Sequence, residues 1–362
     1  MRRDEDLEKK IQERISISKD DIVNLDIVLE DGRRISHVGM KEREVIIYGC
    51  RTIFGCVGGV ATRSEYREKG LATRLMNRSV QRLDEDQGDV MLVSGDRDLY
   101  RRRGCVAAAP TYRFNVTRED VKKSDGTDIH IVLYEEKYLL DIVNIYQKEP
   151  VRFHRSLREF QALLERRTPA PFWNETDVLI LRSNGESLGY VVTQIREDEK
   201  RGKAPIMAIA EYAGDRSIIT RAIKSLFDKY GMVELMFFVP EHDVEFLHIL
   251  KQRGIQGERR NLGGHTFKIV NLPRLMNRFA NYMEERVGKD VADSLGFTQK
   301  EDKFSITYKE NRLELDGESL VRILFGTHDG AEKDIISGAG KMAEILRSLF
   351  PIPFLWPGLN SH

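Results

Sequence analysis

GGVATRSEYREKGLATRLM, residues 58–76, is the stretch on which the reading of this chain turns. A run of small and β-branched residues closes at Ala61. A polar loop carrying Arg67, Glu68, Lys69 and Gly70 follows and opens onto Leu71, Leu75, Met76, Val80 and Leu83. That spacing is helical, and Gln87-Gly88 is expected to end the helix. The loop pattern is Arg67-x-x-Gly70-x-Ala72. A helix start offers unpaired N–H groups and the positive end of the dipole, so it suits a phosphate. Gly70 and Ala72 leave room for a close approach, and Arg67 and Lys69 add charge, so a bound pyrophosphate has physical support. The competing reading is a basic loop before a surface helix, and the short pattern alone leaves both open. The Gly58-Gly59 pair weakens the strand's ladder and suggests a bulge or splay. A splayed edge exposes N–H and C=O groups to which an extended ligand could add like a strand.

Working outward, residues 1–15 read as a short amphipathic helix. Strands are expected at 25–29, 37–40, 44–48 and 52–61, with Asp31-Gly32 as a hairpin turn. Downstream come a buried strand at 89–94, a short helix at 98–103 and a strand at 112–116. Strand, helix and strand with a right-handed crossover make an α/β core. Residues 117–128 turn polar and mark a soft boundary. A helical pattern at 136–167 leads into strands at 177–182, 188–195 and 205–212, a helix at 216–230 and a strand at 234–239. This order echoes the first third of the chain, although residue identities hardly repeat. From about Phe267 the pattern changes again. A helix at 273–287, strands at 303–309 and 311–316, and helices at 318–324 and 341–349 precede the tail FPIPFLWPGLNSH.

Composition bounds the function classes. At about 150 residues per domain, 362 residues make two or three domains. There are 58 basic and 58 acidic residues, without the excess of an extended nucleic-acid surface. With 41% hydrophobic residues the chain is not of disordered composition. No apolar run approaches a membrane span, and the charged start lacks a signal-peptide core. The three cysteines, Cys50, Cys56 and Cys105, read as reduced thiols of a cytoplasmic protein. With no CxxC or HExxH spacing, no metal is expected.

The strand, the R-x-x-G-x-A loop, the helix, the next strand and then Tyr100 in LYRRRG together resemble the GNAT N-acetyltransferases over residues 55–104. That resemblance implies acetyl-CoA as cosubstrate. It implies Arg67, Glu68, Lys69, Gly70, Leu71 and Ala72 as the phosphate cradle. It implies Gly59, Val60 and Ala61 as the strand edge for the pantetheine and acetyl groups, with Ser94 and Gly95 at the end of the facing strand. The layout of the whole chain, with VATRSEYREKGLA, LYRRRG and the ending LFPIPFLWPGLNSH, is similar to the Eis-like (enhanced intracellular survival) acetyltransferases.

The implied fold is α/β (α+β), with tandem GNAT-type mixed sheets and a small sterol-carrier-protein-like domain. The implied domains are 1–122 (acetyltransferase), 123–265 (GNAT-like, with YAGDRSIIT and no cofactor loop) and 266–362, whose tail reaches the active site. Tyr100 is implied as general acid, and the C-terminal carboxylate on His362 as general base. An aromatic tail stiffened by Pro351, Pro353 and Pro357 is more suited to docking than to fraying. Whether the His362 ring shares the base role stays open. The implied function is direct acetyl transfer to a primary amine: an aminoglycoside-like polyamine, a lysine side chain or another small amine. A homo-oligomer is implied, and no nucleic acid or membrane. The alternative is an acyl-CoA-responsive scaffold whose last domain holds a lipid or peptide. One departure is Arg103, where the family commonly has an aromatic before Gly104.

Other residues rank lower. SGAGKM, residues 337–342, lacks phosphate-loop spacing and reads as a turn before a helix. His242 and His248 read as surface histidines on different helix faces, Cys56 as a core thiol. The Arg101–Arg103 run reads as a solvated face or a contact for the adenosine 3′-phosphate.

Overall fold

The computed structural model describes residues 5–121, 129–166, 175–198, 203–262, 264–326, 330–354 and 356–360. The chain forms two compact units: Met1–Ala108 with Leu262–Ile352, and Ala109–Asn261 with Pro353–His362. Its architecture is a mixed α/β fold.

The first unit begins with α1 (Glu5–Glu8) and β1 (Ile11–Ile17). The helix expected over 1–15 is thus mostly a strand. Ile11, Ile15 and Ile17 alternate with polar residues at the two-residue period of a pleat, and β1 pairs antiparallel with β2 (Val23–Leu29). β3 (Arg34–Ile47) replaces the two separate strands expected there. Lys41–Arg43 do not break it, because all three stay paired with β4 (Cys50–Thr62). Gly32, at φ 81°, closes the expected β2–β3 hairpin.

The crossover helix α2 (Leu71–Glu85) then leads to β5 (Val90–Ser94), which pairs parallel to β4. Leu71, Leu75, Met76 and Leu83 of α2 are buried with Val38, Met40, Val57, Met91 and Val93 of the sheet. α3 (Asp98–Arg101) follows.

The second unit opens with β6 (Pro110–Thr117) and β7 (His130–Leu133). The helical pattern expected over 136–167 resolves into α4 (Leu139–Gln147), the extended β8 (Val151–Phe153) and α5 (Leu157–Arg166). Pro150 cannot donate the helical N–H, so the run breaks there. β9 (Glu175–Ser183), β10 (Glu186–Asp198), β11 (Lys203–Gly214), α6 (Arg216–Tyr230) and β12 (Glu234–Pro240) match the expected elements. α7 (Val244–Gln252) and β13 (Gly257–Asn261) complete the unit. The sheet order is β13-β6-β12-β11-β10-β9-β7, with β11 and β12 the parallel pair joined through α6. Asp215 caps α6 by accepting from the Ile218 N–H at 2.9 Å, and Gly231 ends it in the left-handed region.

The chain returns to the first unit with β14 (His265–Ile269), giving the order β1-β2-β3-β4-β5-β14. The helix expected over 273–287 is two, α8 (Leu272–Arg278) and α9 (Ala280–Val287), separated at Phe279. α10 (Lys289–Asp293) precedes a small antiparallel sheet of β15 (Leu295–Lys300), β16 (Lys303–Tyr308) and β17 (Asn311–Asp316). α11 (Gly317–Phe325), α12 (Ala331–Gly338) and α13 (Ala343–Leu349) follow. β15 and α12 were not foreseen, since both have short, mixed patterns.

Asp89, fully buried, ties α8 to the sheet. It accepts from Thr52 Oγ1 at 2.9 Å and the Ile53 N–H at 2.8 Å, and it faces Arg274 at 3.2 Å and Arg278 at 2.9 Å.

Candidate active site

The site is built where β4 loses its partner. Pairing of β4 with β5 runs from Phe54↔Val90 to Val57↔Val93 and stops, while β4 continues to Thr62. On its other edge β4 pairs with β3 through Gly39↔Gly58 and then His37↔Ala61, so three steps along β4 match two along β3. The extra residue is a bulge, and Gly59 within it sits at φ 63°. Past Val57 the edge of β4 that faced β5 has no strand partner. Gly59, Val60 and Ala61 therefore stand together along this edge, and Ser94 and Gly95 end the facing strand.

The loop after β4 makes one 3-10 turn, Ser64–Tyr66, and returns to α2 through Glu68 at φ 63° and Gly70 at φ 80°. Gly70 is the N-cap of α2, and no side chain caps the helix. The helix start thus keeps its donors for a ligand, and glycine at a left-handed position lets the loop bend back over it. Arg67 is exposed, its Nε donating to the Thr62 carbonyl at 3.3 Å, and the Lys69 ammonium lies 5.9 Å from the Tyr66 ring centroid. Leu71 anchors the helix start in the core, and Ala72 follows on the first turn.

Tyr100, on α3, is 1% exposed. Gly95, at φ 137°, admits its ring, because a Cβ there would lie 2.8 Å from Tyr100 Cε2. The Tyr100 hydroxyl accepts from Arg97, whose Nη2 also donates to the Val60 carbonyl at 3.1 Å. One guanidinium thus links the phenol to the bulged edge of β4. Arg97 was not singled out from the sequence; a lone arginine in a loop gives no periodic signal.

His37 and Asp26 were also missed. They stand on adjacent strands at paired positions, and His37 Nδ1 lies 2.7 Å from Asp26 Oδ1. The one legible trace is Asp26, a polar residue between apolar ones in Leu25-Asp26-Ile27; His37 follows the polar Ser36 and gives no such signal.

The remaining candidates separate cleanly. Burial pushes the Cys56 thiol up to about 11, the character of an inert thiol, and Cys105 likewise to about 11. Arg101 and Arg102 meet Asp96 and Asp98 at 3.2 and 3.7 Å, and Arg103 lines a cavity with Gly104, Cys105 and Lys268. His242 is half-buried and does not lie on a helix face. It precedes α7, and enclosure beside Arg216 lowers it to about 4. Among the described residues no group of three His, Cys, Asp or Glu could hold a metal ion. No helix among them is long and apolar enough to cross a membrane.

His362 lies outside the described residues. The tail before it is docked within the second unit. Trp356 stacks on Phe238 at 4.4 Å, the Leu359 N–H donates to Glu211 Oε2 at 2.9 Å, and Asn360 Oδ1 accepts from Arg155 Nε at 2.9 Å.

Residues 3–108 match the protein family described as Acetyltransferase (GNAT) domain. None of the curated proteins matches the chain in sequence. Among solved structures it is similar in fold to a GCN5-related N-acetyltransferase from Anabaena variabilis ATCC 29413, with a TM-score of 0.62 and 11% identity over 92% of this chain and 88% of that one. A conserved protein of Enterococcus faecalis V583, described as a probable N-acyltransferase, gives 0.63 and 13% over 92% and 86%. Eis1 from Mycobacterium abscessus gives 0.58 and 11% over 91% and 89%. The domain match makes the class acyltransferase, and these neighbours share the fold.

Proposed function

We propose that this protein is an acetyl-CoA-dependent N-acetyltransferase that moves the acetyl group directly to a primary amine. The observation that carries the reading is the bulged end of β4, parted from β5 directly ahead of the Gly70-capped start of α2. An extended thioester arm fits the first feature and a pyrophosphate the second.

In this reading residues 67–72 hold the pyrophosphate, and the edge at Gly59, Val60 and Ala61 takes the pantetheine. Main-chain N–H groups on that edge stabilise the oxyanion as the amine adds to the thioester carbonyl. The carbon–sulfur bond then breaks, and the leaving thiolate takes its proton from the Tyr100 hydroxyl. Ser94 and Gly95 line the far wall. The second unit repeats a parallel pair joined through a helix, and its β11–β12 pairing also stops early, at Ile209↔Phe237. That supports reading it as a GNAT-like domain without a cofactor loop. The three-domain division at 122 and 265, a sterol-carrier-protein-like last part, a homo-oligomer and a cytoplasmic setting belong to the same proposal.

The test is CoA release from acetyl-CoA with spermine, kanamycin and a lysine peptide as acceptors. Turnover with at least one acceptor, falling by about 100-fold in Tyr100→Phe, is the expected result. No turnover with any of them overturns it, whether or not acetyl-CoA shifts the thermal transition.

A further inference from the structure

We infer that His37, oriented by Asp26, is the group that takes the proton of the acceptor amine. This rests on the acetyl-transfer reading and assigns the one role that reading fills only by resemblance.

The geometry comes from three neighbouring strands. His37 lies opposite Ala61 across the β3–β4 pairing, and Asp26 lies opposite His37 across β2–β3. Asp26 is acceptor-only as a carboxylate, so its 2.7 Å contact places a proton on His37 Nδ1 and leaves the lone pair on Nε2. No other hydrogen-bond partner of the His37 ring is found among the described residues. Its Nε2 edge lies over the bulge: a Cβ added at Gly59 or at Gly39 would be 3.5 Å from Nε2. Both positions are glycine, so the space beside Nε2 stays open. At 18% side-chain exposure, His37 is shielded yet reachable by a small amine.

The face is also right for a base. Val38 and Met40 point into the core beneath α2 with Tyr100, and strand alternation puts His37 on the opposite side of the sheet. Acid and base then flank the same stretch of β4. Tyr100 reaches Val60 through Arg97, and His37 lies over Gly59.

The charged groups around the pair are Arg34, 3.7 Å from Asp26 Oδ1, and Arg14, opposite Asp26 on β1. The step balances simply. As the nitrogen–carbon bond forms, the ammonium proton of the adduct passes to His37 Nε2. The thiolate receives a different proton from Tyr100, and solvent resets both groups.

The experiment compares wild type, His37→Gln, Asp26→Asn and a chain extended by several residues after His362. The assay is CoA release with spermine, kanamycin and a lysine peptide, and each protein is also checked for its acetyl-CoA-induced thermal shift. The expected result is a fall of about 100-fold in kcat for His37→Gln. The acid limb of its kcat/KM profile should vanish, with the acetyl-CoA KM and thermal shift kept. Asp26→Asn should lose about tenfold, and the extended chain should stay active. A His37→Gln enzyme with full rate and an intact acid limb overturns the inference. So does an extended chain that is inactive while His37→Gln turns over. Should His37→Gln fail to bind acetyl-CoA, Asp26→Asn decides, and its full rate with an unchanged profile overturns the inference. Absence of turnover in wild type with a preserved thermal shift removes the acetyl-transfer reading itself, and this inference with it.

Discussion

The Arg97 guanidinium donates to the Val60 carbonyl at 3.1 Å, on the stretch of β4 where pairing with β5 has ended. The same nitrogen reaches the Tyr100 hydroxyl, and the cation lies 4.8 Å from the centroid of that ring. An incoming pantetheine must compete for the Val60 carbonyl, while the phenol depends on Arg97 for its orientation. Arg97→Ala should therefore lower the acetyl-CoA KM about threefold to fivefold, the worth of one modest hydrogen bond, and lower kcat by tenfold or more. Steady-state kinetics separate the two effects. A rise in KM with kcat unchanged would show instead that Arg97 belongs to the cofactor grip.

Arg155 and Glu211 form a two-point ion pair at 2.9 and 2.7 Å, with side-chain exposures of 1% and 8%. Glu211 also accepts from Tyr190 at 2.7 Å and from the Leu359 N–H, and Arg155 holds its carboxyl below the ordinary range despite burial. Glu211→Gln strips the counter-charge from a buried guanidinium, which costs about 3–5 kcal/mol. The second unit should melt at lower temperature, and residues 356–360 should become sensitive to carboxypeptidase. Tail protection equal to wild type would argue against this anchor.

Glu42 is raised to about 7, first by burial and then by a hydrogen bond shared with Asp86. The native state therefore binds a proton that the unfolded state lacks between about 4.5 and 7. Stability tied to this group is full below about 4.5 and is lost as pH rises through 7. Glu42→Gln should raise stability at pH 8 by about 2 kcal/mol and leave it near wild type at pH 4.5. Denaturant melts at the two pH values check the sign, and an equal gain at both would contradict it.

The stretch 58–76 was readable because its signals are local. A left-handed glycine, a basic loop and an apolar stripe at helical spacing all fall within one turn and one helix, and the structure keeps every one of them. Elements with strong periods, such as α6, were legible for the same reason. β1 was misread because seven residues with three isoleucines fit either period, and its pairing with β2 settled which. The helix expected over 136–167 failed because periodicity does not see a single Pro150.

What the sequence by itself determined is the turn from loop to helix: residue types and spacing at 67–72 depend only on neighbours along the chain. What the tertiary structure alone decided is which side chains meet at the end of β4. Tyr100, Arg97 and Val60 converge across the part of the sheet where pairing stops. Asp26 and His37 meet because β2 and β3 pair in one register, a distance of eleven residues along the chain closed to 2.7 Å. Hydrogen-bond register and a one-residue bulge set those contacts, and neither leaves a periodic mark in a sequence.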